Sequence, residues 1–248
     1  MVDTHCHVNL VDYPDIDDVI KRMEGNIIIV SGVDDASNRE VLDLCARYDN
    51  VYGTLGIHPE SVDESYDLDF VRDHINDPKI VAVGEIGLDY YYTKENRDSQ
   101  IDLFCKQIEI AILFNKPIVV HSRDAISDTY DIIKKYSIGS RTDIHCFSGS
   151  LEMALEFVKL GCKLGIGGVL TFKNAGRIKD VVSNIDISNL LLETDSPYLT
   201  PEPFRGKRNE PYNIVYVAQA ISLIKGISVS RVLEITKKNS YSLFDFNL

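Results

Sequence analysis

Two histidines separated by a single residue occur in the stretch Val2-Asp3-Thr4-His5-Cys6-His7. If this stretch forms a β-strand, its side chains alternate between two faces, so His5 and His7 lie on the same face. Two imidazoles at this spacing can bind one metal ion, although two histidines packed in a core would show the same pattern. The choice between these interpretations depends on which other side chains reach the same place.

Further histidines and carboxylates stand at the ends of short apolar runs. These are Ile80–Gly84 with Glu85, Pro117–His121 with His121, Asp143–Cys146 with His145, and Leu190–Thr194 with Asp195. If the runs are parallel strands of a barrel, their carboxyl ends surround one opening, which is where the catalytic groups of such barrels lie. The set therefore predicts a metal centre rather than unrelated core residues.

The predicted metal ligands are His5, His7, Glu85, His121, His145 and Asp195. These are too many for one tetrahedral ion, so we expect two divalent ions. Glu85, on the fourth strand, is placed to bridge them. We assign His5, His7 and Asp195 to one ion and His121 and His145 to the other.

Phosphate ester hydrolysis is the chemistry that such a pair of ions favours. Two ions about 3.5–4 Å apart stabilise the attacking and leaving oxygens and lower the pKa of bound water. Asp195 and Glu85 are therefore the predicted catalytic residues, with Asp195 as the general base. Asp3 could orient a ligand histidine from behind, or could simply be polar because it begins a strand.

Two further side chains at strand ends could contact a substrate. His58 follows the predicted strand Val51–Ile57, and we favour a substrate contact over a mere loop start. Arg123 follows His121 and could bind a phosphate through two hydrogen bonds, or could form an ion pair with Asp124.

A basic segment and a run of tyrosines lie close to the same strand ends. Arg205 and Lys207 follow the eighth strand, where a phosphate chain would enter, although basic segments are often merely solvated. Tyr90, Tyr91 and Tyr92 follow the fourth strand and could stack on bases or pack beneath a loop.

The elements that must position these residues alternate between short apolar runs and longer amphipathic runs. The predicted strands are Val2–His5, Asn26–Ser31, Val51–Ile57, Ile80–Gly84, Pro117–His121, Asp143–Cys146, Cys162–Ile166 and Leu190–Thr194. The predicted helices include Asn96–Asn115, Asp124–Lys135, Ser150–Leu160 and Ile178–Ser183, with two more in Pro211–Leu248. This alternation predicts an α/β fold: one (β/α)8 TIM-type barrel domain over residues 1–248, with C-terminal helices. A doubly wound open sheet is the alternative fold, and it would normally have a glycine-rich phosphate-binding turn after an early strand. The first predicted strand here ends in His5-Cys6-His7 instead.

Composition sets the broad class of protein. The chain has 248 residues with 44% hydrophobic and 26% charged, which is ordinary for a globular protein. No apolar run is long enough to span a bilayer, so we expect no membrane partner. Five cysteines without a paired framework indicate reduced thiols and a cytoplasmic location. The net charge of −12 argues against nucleic acid, but residues from 201 onward carry a net +3.

Seven segments, taken in order, resemble one known family. They are Asp3-Thr4-His5-Cys6-His7, Gly56-Ile57-His58-Pro59, Gly84-Glu85-Ile86-Gly87-Leu88-Asp89-Tyr90, Pro117-Ile118-Val119-Val120-His121-Ser122-Arg123-Asp124-Ala125, His145-Cys146-Phe147-Ser148-Gly149, Glu193-Thr194-Asp195-Ser196-Pro197-Tyr198-Leu199 and Arg205-Gly206-Lys207-Arg208-Asn209-Glu210-Pro211. The set is similar to that of the TatD-type metal-dependent deoxyribonucleases among the amidohydrolase-like barrels.

The resemblance implies a TIM-type barrel that hydrolyses phosphodiesters in DNA, often from the 3′ end. It implies the same six metal ligands, with Asp195 also activating water. The partners would be single-stranded DNA or 3′ ends, with RNA as a further candidate, and a monomer is the default. The resemblance implies magnesium, whereas imidazoles prefer manganese or zinc. We therefore expect two Mg²⁺ or Mn²⁺ ions in function, with Zn²⁺ binding in vitro.

Two alternatives stay open. The same barrel could hydrolyse amides, lactones or small phosphoesters. Amide-cleaving barrels often bridge their ions with a modified lysine, and no lysine ends the fourth strand here. A binding protein without activity is the second alternative, but it would be expected to lack one or more of the ligands.

Overall fold

The structure, a computed structural model, describes residues 1–9 and 12–246. The strands are β1 (Val2–Cys6), β2 (Ile27–Ser31), β3 (Val51–Leu55), β4 (Ile80–Asp89), β5 (Ile118–Arg123), β6 (Thr142–Ile144), β7 (Lys163–Ile166) and β8 (Leu190–Leu192). The helices are α1 (Ile16–Arg22), α2 (Asp35–Arg47), α3 (Leu68–His74), α4 (Arg97–Leu113), α5 (Ile126–Tyr136), α6 (Leu151–Lys159), α7 (Gly176–Asn184), α8 (Ile214–Lys225) and α9 (Val229–Leu243).

The eight strands pair in parallel in the order β1 to β8. Backbone hydrogen bonds beyond the last ladder bring β8 back to β1: Asp195 N donates to His5 O at 3.0 Å and His7 N to Ser196 O at 2.6 Å. With helices between the strands, this is a TIM barrel, and the predicted fold class is confirmed.

Alternation along the strands divides the core into two layers. On β2, Ile28 and Val30 belong to the large apolar layer between strands and helices, whereas Ile27 and Ile29 belong to a smaller cluster. The smaller cluster contains residues that begin strands, including Val2 and Tyr52, so it lies inside the amino-terminal end of the barrel. The opposite, carboxyl end is left for polar groups.

The end of the chain completes this inner cluster. Phe244 and Phe246 follow α9 and are almost fully buried in it. The hydroxyl of Tyr52 donates to the carbonyl of Phe246 at 2.8 Å, and the two rings meet edge to face. The C-terminal segment therefore closes the amino-terminal end of the barrel. The two predicted C-terminal helices are confirmed as α8 and α9, and residues 247–248 of that prediction lie outside the described residues.

Several predicted strand boundaries were wrong, with consequences for the site. β4 continues to Asp89 because its second half pairs with β5, so Glu85 lies within the strand rather than after it. β6 and β8 end early, at Ile144 and Leu192, so His145 and Asp195 stand in the loops just beyond their strands. Helices α1, α2 and α3 were not individually predicted.

Among the described residues, no single helix is both long and apolar enough to cross a membrane. The pair Pro211–Lys225 and Val229–Leu243, bent by 109°, meets that criterion only when its two helices are taken together.

Candidate metal centre

His5 on β1 and His7 directly after this strand lie side by side at the carboxyl end of the barrel. Their Nε2 atoms are 3.0 Å apart, and Ser31 at the end of β2 holds the other ring nitrogens. The carbonyl of Ser31 lies 3.1 Å from His7 Nδ1, and the hydroxyl lies 3.1 Å from His5 Nδ1. A carbonyl can only accept, so His7 Nδ1 carries a hydrogen and its Nε2 is the atom available to a metal. Both histidines therefore direct Nε2 to the same point.

The two oxygens of the Glu85 carboxylate face different histidines. Oε2 lies 3.3 Å from the Nε2 atoms of both His5 and His7. Oε1 lies 2.8 Å from His121 Nδ1 and 3.8 Å from His145 Nε2. Burial opposes ionisation of this carboxyl, but the surrounding histidines lower its pKa well below the usual value. Glu85 is thus an ionised carboxylate between the pair His5 and His7 on one side and His121 on the other, with His145 stacked on His5 at 3.6 Å between ring centres.

Asp195 reaches the same cluster from the loop after β8. Its Oδ1 lies 3.6 Å from His7 Nε2, 3.9 Å from His5 Nε2 and 4.0 Å from His145 Nε2. Burial raises the pKa of this carboxyl to about 6, despite the opposing effect of His145 and His7. A carboxyl that titrates near neutrality is suited to accepting a proton.

His145 is oriented by Glu193, a residue that the sequence analysis did not select. Its Nδ1 lies 3.2 Å from Glu193 Oε2, and the other Glu193 oxygen accepts from Cys146 N at 2.7 Å. Gly165 makes room for this carboxyl, because a Cβ there would lie 2.3 Å from Glu193 Oε2. Donation from Nδ1 to Glu193 leaves His145 Nε2 facing Glu85 and Asp195.

His121 stands between two carboxylates. Its Nε2 lies 2.9 Å from Asp89 Oδ2, on the side of the ring opposite Glu85. Burial alone would lower the pKa of His121, but the hydrogen bonds to Asp89 and Glu85 raise it to about 10. Asp89, at the end of β4, thus turns Nδ1 of His121 towards the centre.

His58 also joins the cluster, with Nε2 3.6 Å from Glu85 Oε1 and its ring edge-on to His121. Its geometry differs from that of the other histidines, because Nδ1 accepts a hydrogen bond from Glu60 N at 3.2 Å. Burial lowers the pKa of His58 to about 4, so the ring is neutral and its hydrogen is on Nε2. His58 therefore presents a hydrogen-bond donor to the centre rather than a free lone pair.

The cluster lies at the bottom of an open cavity of about 540 Å³. Among the residues that line the cavity are His7, His58, Glu85, Asp89, Tyr92, His121, Arg123, His145, Asp195 and Tyr198. Arg123 is half-exposed, 3.9 Å from Asp89 Oδ2, with its guanidinium 3.6 Å from the centre of the Tyr91 ring. The alternative in which Arg123 pairs with Asp124 is not seen among the described ion pairs, where its partner is Asp89.

The basic segment is exposed but lies beside the cavity. Neither Arg205 nor Lys207 is among the described lining residues; Arg205 covers Phe172, and Lys207 lies over Phe204. Contact with a substrate therefore requires one that extends beyond the cavity, and their role stays a prediction.

Asp3 does not orient an imidazole. Its carboxylate instead accepts from the backbone N and the hydroxyl of Thr194, at 2.9 and 2.6 Å, and so fixes the residue before Asp195. Ser31, Asp89 and Glu193 are partners of the histidines that were not predicted from the sequence. Glu193 and Asp3 each lie two residues before a predicted ligand, and this spacing is the signal that could have indicated them.

Comparison with known proteins identifies the family. The family model described as TatD related DNase matches residues 2–245. A metal-dependent hydrolase of Bacillus subtilis, YabD, is 39% identical over the whole of both chains, and YcfH of Escherichia coli is 35% identical over 98% of this chain and 95% of its own. The crystal structure of YjjV, a TatD homologue from E. coli, superposes with a TM-score of 0.90 at 30% identity, covering 99% of this chain and 98% of that one.

The barrel, its ring of imidazoles and carboxylates and these relatives define a metal-dependent hydrolase. Within that class the chain belongs to the TatD family.

Proposed function

We propose that the protein is a metal-dependent deoxyribonuclease that hydrolyses phosphodiester bonds of DNA with two divalent ions, releasing nucleotides from the 3′ end. The observation that carries this proposal is the division of Glu85, whose Oε2 faces His5 and His7 and whose Oε1 faces His121. A carboxylate in that position is suited to bridging two ions, and a pair of ions is suited to phosphodiesters.

The donor set fits such ions. His5, His7 and Asp195 would hold one, His121 and His145 the other, with Glu85 shared. The Nδ1 contacts of His7 and His145 support this, because they leave Nε2 as the ring atom that faces both carboxylates and can bind an ion once it carries no proton. Four imidazoles should bind Mn²⁺ or Zn²⁺ more tightly than Mg²⁺. The ions proposed for function are Mg²⁺ or Mn²⁺. Bound divalent ions supply Lewis acidity, which neutralises phosphate charge and makes water a better nucleophile.

The side chains of this protein perform the remaining steps. Asp195 accepts through Oδ1, which faces the cluster, the proton of the water that attacks phosphorus, and returns this proton to the ester oxygen that leaves as its P–O bond breaks. His58 donates a hydrogen bond from Nε2 to a phosphate oxygen, because its other nitrogen is occupied by Glu60 N. Arg123 binds a phosphate at the rim of the cavity, and Arg205 and Lys207 contact a longer strand outside it. We also propose a cytoplasmic monomer with single-stranded DNA or 3′ ends as partner and RNA as a further substrate.

A direct test uses protein treated with chelator and a 5′-labelled single-stranded oligonucleotide. Mg²⁺ or Mn²⁺ should restore stepwise shortening from the 3′ end, and Glu85→Gln should abolish it while the protein remains folded. Glu64→Gln, an exposed carboxylate away from the cluster, is the matched control and should behave as wild type. Hydrolysis that proceeds equally well in Glu85→Gln would refute the proposal.

Hydrolysis of amides or small phosphoesters is the second candidate. No lysine is among the described residues that line the cavity, so a modified-lysine bridge is not available there. The rates on an oligonucleotide, on a small alkyl phosphodiester and on a cyclic amide separate the candidates. The nuclease proposal predicts that the oligonucleotide has the highest kcat/KM.

A further inference from the structure

Two exposed tyrosines stand beside the metal centre. Tyr92 is 74% exposed and Tyr198 is 59% exposed, and both line the cavity. The other exposed large apolar or aromatic side chains among the described residues, such as Leu223 and Tyr212, do not line it. Exposed rings at the wall of a polar site indicate a ligand with a flat apolar face.

The strand order places these rings on opposite sides of the opening. Tyr92 follows β4 and Tyr198 follows the end of β8, and these strands are four positions apart in a barrel of eight. Glu85, on β4, lines the same cavity. Tyr198 is on the β1 side, with its ring centre 6.3 Å from that of His7.

Backbone hydrogen bonds hold Tyr198, whereas Tyr92 packs against a neighbouring ring. Tyr198 N donates to Asp195 O at 2.8 Å, and its carbonyl accepts from the side chain of Asn209 at 2.7 Å. Tyr92 meets Tyr91 edge to face at 4.8 Å, and Tyr91 in turn carries the Arg123 guanidinium on its face. Tyr90 is different: it is buried, and its hydroxyl donates to Asp128 at 2.8 Å. Tyr91 therefore contacts both Tyr92 and Arg123, the side chain proposed to bind phosphate.

We propose that Tyr92 and Tyr198 are base-binding residues, each stacking on a nucleobase on one side of the phosphate bound at the candidate metal centre. This inference rests on the proposed nuclease function and assigns the side chains that bind the bases. Stacking uses the face of a base, which every nucleobase offers, so binding is independent of sequence. A base inside a duplex has both faces covered, so the nucleotides flanking the cut bond must be unstacked from their neighbours.

The test uses wild type and the variants Tyr92→Ala, Tyr92→Phe, Tyr198→Ala and Tyr198→Phe with Mn²⁺. The substrate is a 5′-labelled single-stranded oligothymidylate of about eight nucleotides. Two further substrates carry an abasic tetrahydrofuran residue at the last or at the penultimate position. The quantity measured is kcat/KM for cleavage of the bond between the last two nucleotides.

Each alanine variant should lose about 5- to 150-fold in kcat/KM on the unmodified strand, and each phenylalanine variant should stay near wild type because the ring is kept. When the abasic residue replaces the base that a given tyrosine binds, wild type should lose as much kcat/KM as the alanine variant loses on the unmodified strand. The alanine variant of that tyrosine should lose nothing further on this abasic strand. Tyr212→Ala, an exposed ring outside the cavity, serves as control and should resemble wild type.

Alanine variants that cleave the unmodified strand as fast as wild type would overturn the assignment of these rings. The assignment is also overturned if an alanine substitution lowers kcat/KM by the same factor on both abasic strands as on the unmodified strand, because the loss is then not due to stacking. Either result leaves the proposed nuclease intact, since wild type still cleaves. If wild type cleaves no oligonucleotide with Mg²⁺ or Mn²⁺, the proposed function itself fails.

Discussion

Asp195 has a left-handed backbone conformation and a carboxylate that faces the histidines of the candidate metal centre. Its φ of 55° lies in the left-handed region, which aspartate and asparagine tolerate better than most residues. Its carboxylate faces three histidines, and its pKa is raised to about 6 by burial. The positive φ and the carboxylate are therefore separate requirements at this position, and a substitution can remove the carboxylate while keeping a residue that tolerates the positive φ.

Asp195→Asn keeps the tolerance for positive φ and removes the proton acceptor. We expect kcat to fall by at least about 100-fold, as for loss of a general base, with a melting temperature close to that of wild type. Asp195→Ala should lose activity too but also melt earlier because of backbone strain. Rates near wild type in the folded asparagine variant would contradict the role assigned to this carboxylate.

The raised pKa values of His7 and His121 should make metal binding depend on pH. Burial alone would lower both pKa values, but contacts with Glu85, together with Asp195 for His7 and Asp89 for His121, raise them to about 9 and about 10. Both side chains are therefore protonated at pH 7.5 in chelator-treated protein, and each must lose a proton to bind metal. Metal affinity should rise with pH up to about pH 9–10.

Calorimetric titration of the chelator-treated protein with Mn²⁺ at pH 7.5, in two buffers of different ionisation enthalpy, measures the protons released. We expect about two protons per fully loaded protein, and about one fewer in His121→Gln. Net uptake of protons, or no exchange at all, would be inconsistent with these two charged imidazoles.

Glu193 positions His145 and depends on the absence of a side chain at Gly165. A Cβ at Gly165 would overlap Glu193 Oε2, and both positions are enclosed by the barrel. Gly165→Ala should therefore displace the carboxylate and with it His145, lowering affinity for the second ion by about 10- to 100-fold. Gly176→Ala, where a Cβ meets nothing within 4 Å, is the control and should bind metal normally. Equal metal affinity in the two variants would exclude the positioning role.

At the scale of elements, the sequence predicted the type and order of strands well because buried parallel strands are continuous apolar runs bounded by polar residues. It predicted their ends poorly, and β4 shows why: its extension to Asp89 depends on pairing with β5 as far as Arg123. Pairing across the barrel is a tertiary contact that a local pattern does not contain. For the same reason Ser31 was missed, since a serine ending an apolar run carries no sign of the two histidines it contacts.

The C-terminal segment after α9 was another element that the pattern did not specify. Phe244 is 1% exposed within the inner cluster. Phe244→Ala should destabilise the protein by about 3–5 kcal/mol, because it leaves a cavity at the closed end of the barrel. Leu223→Ala, on a side chain 85% exposed, should change stability by less than about 0.5 kcal/mol. Urea denaturation compares the two, and a small effect at Phe244 would contradict its role in closing the barrel.

At the scale of the molecule, the barrel separates stability from function. Apolar side chains fill its amino-terminal end, whereas the predicted metal ligands at its carboxyl end come from β1 and the residue after it, from β4 and β5, and from the loops after β6 and β8. Residues 190 positions apart, His5 and Asp195, therefore meet within 3.9 Å. Only closure of the sheet from β8 to β1 brings them together, so their contact follows from the fold class and not from either motif alone.

The most direct measurement is anomalous scattering from crystals grown with Mn²⁺. The account predicts two manganese peaks on either side of Glu85, one bound by His5, His7 and Asp195 and the other by His121 and His145. A single peak, or two peaks that do not share Glu85, would contradict it.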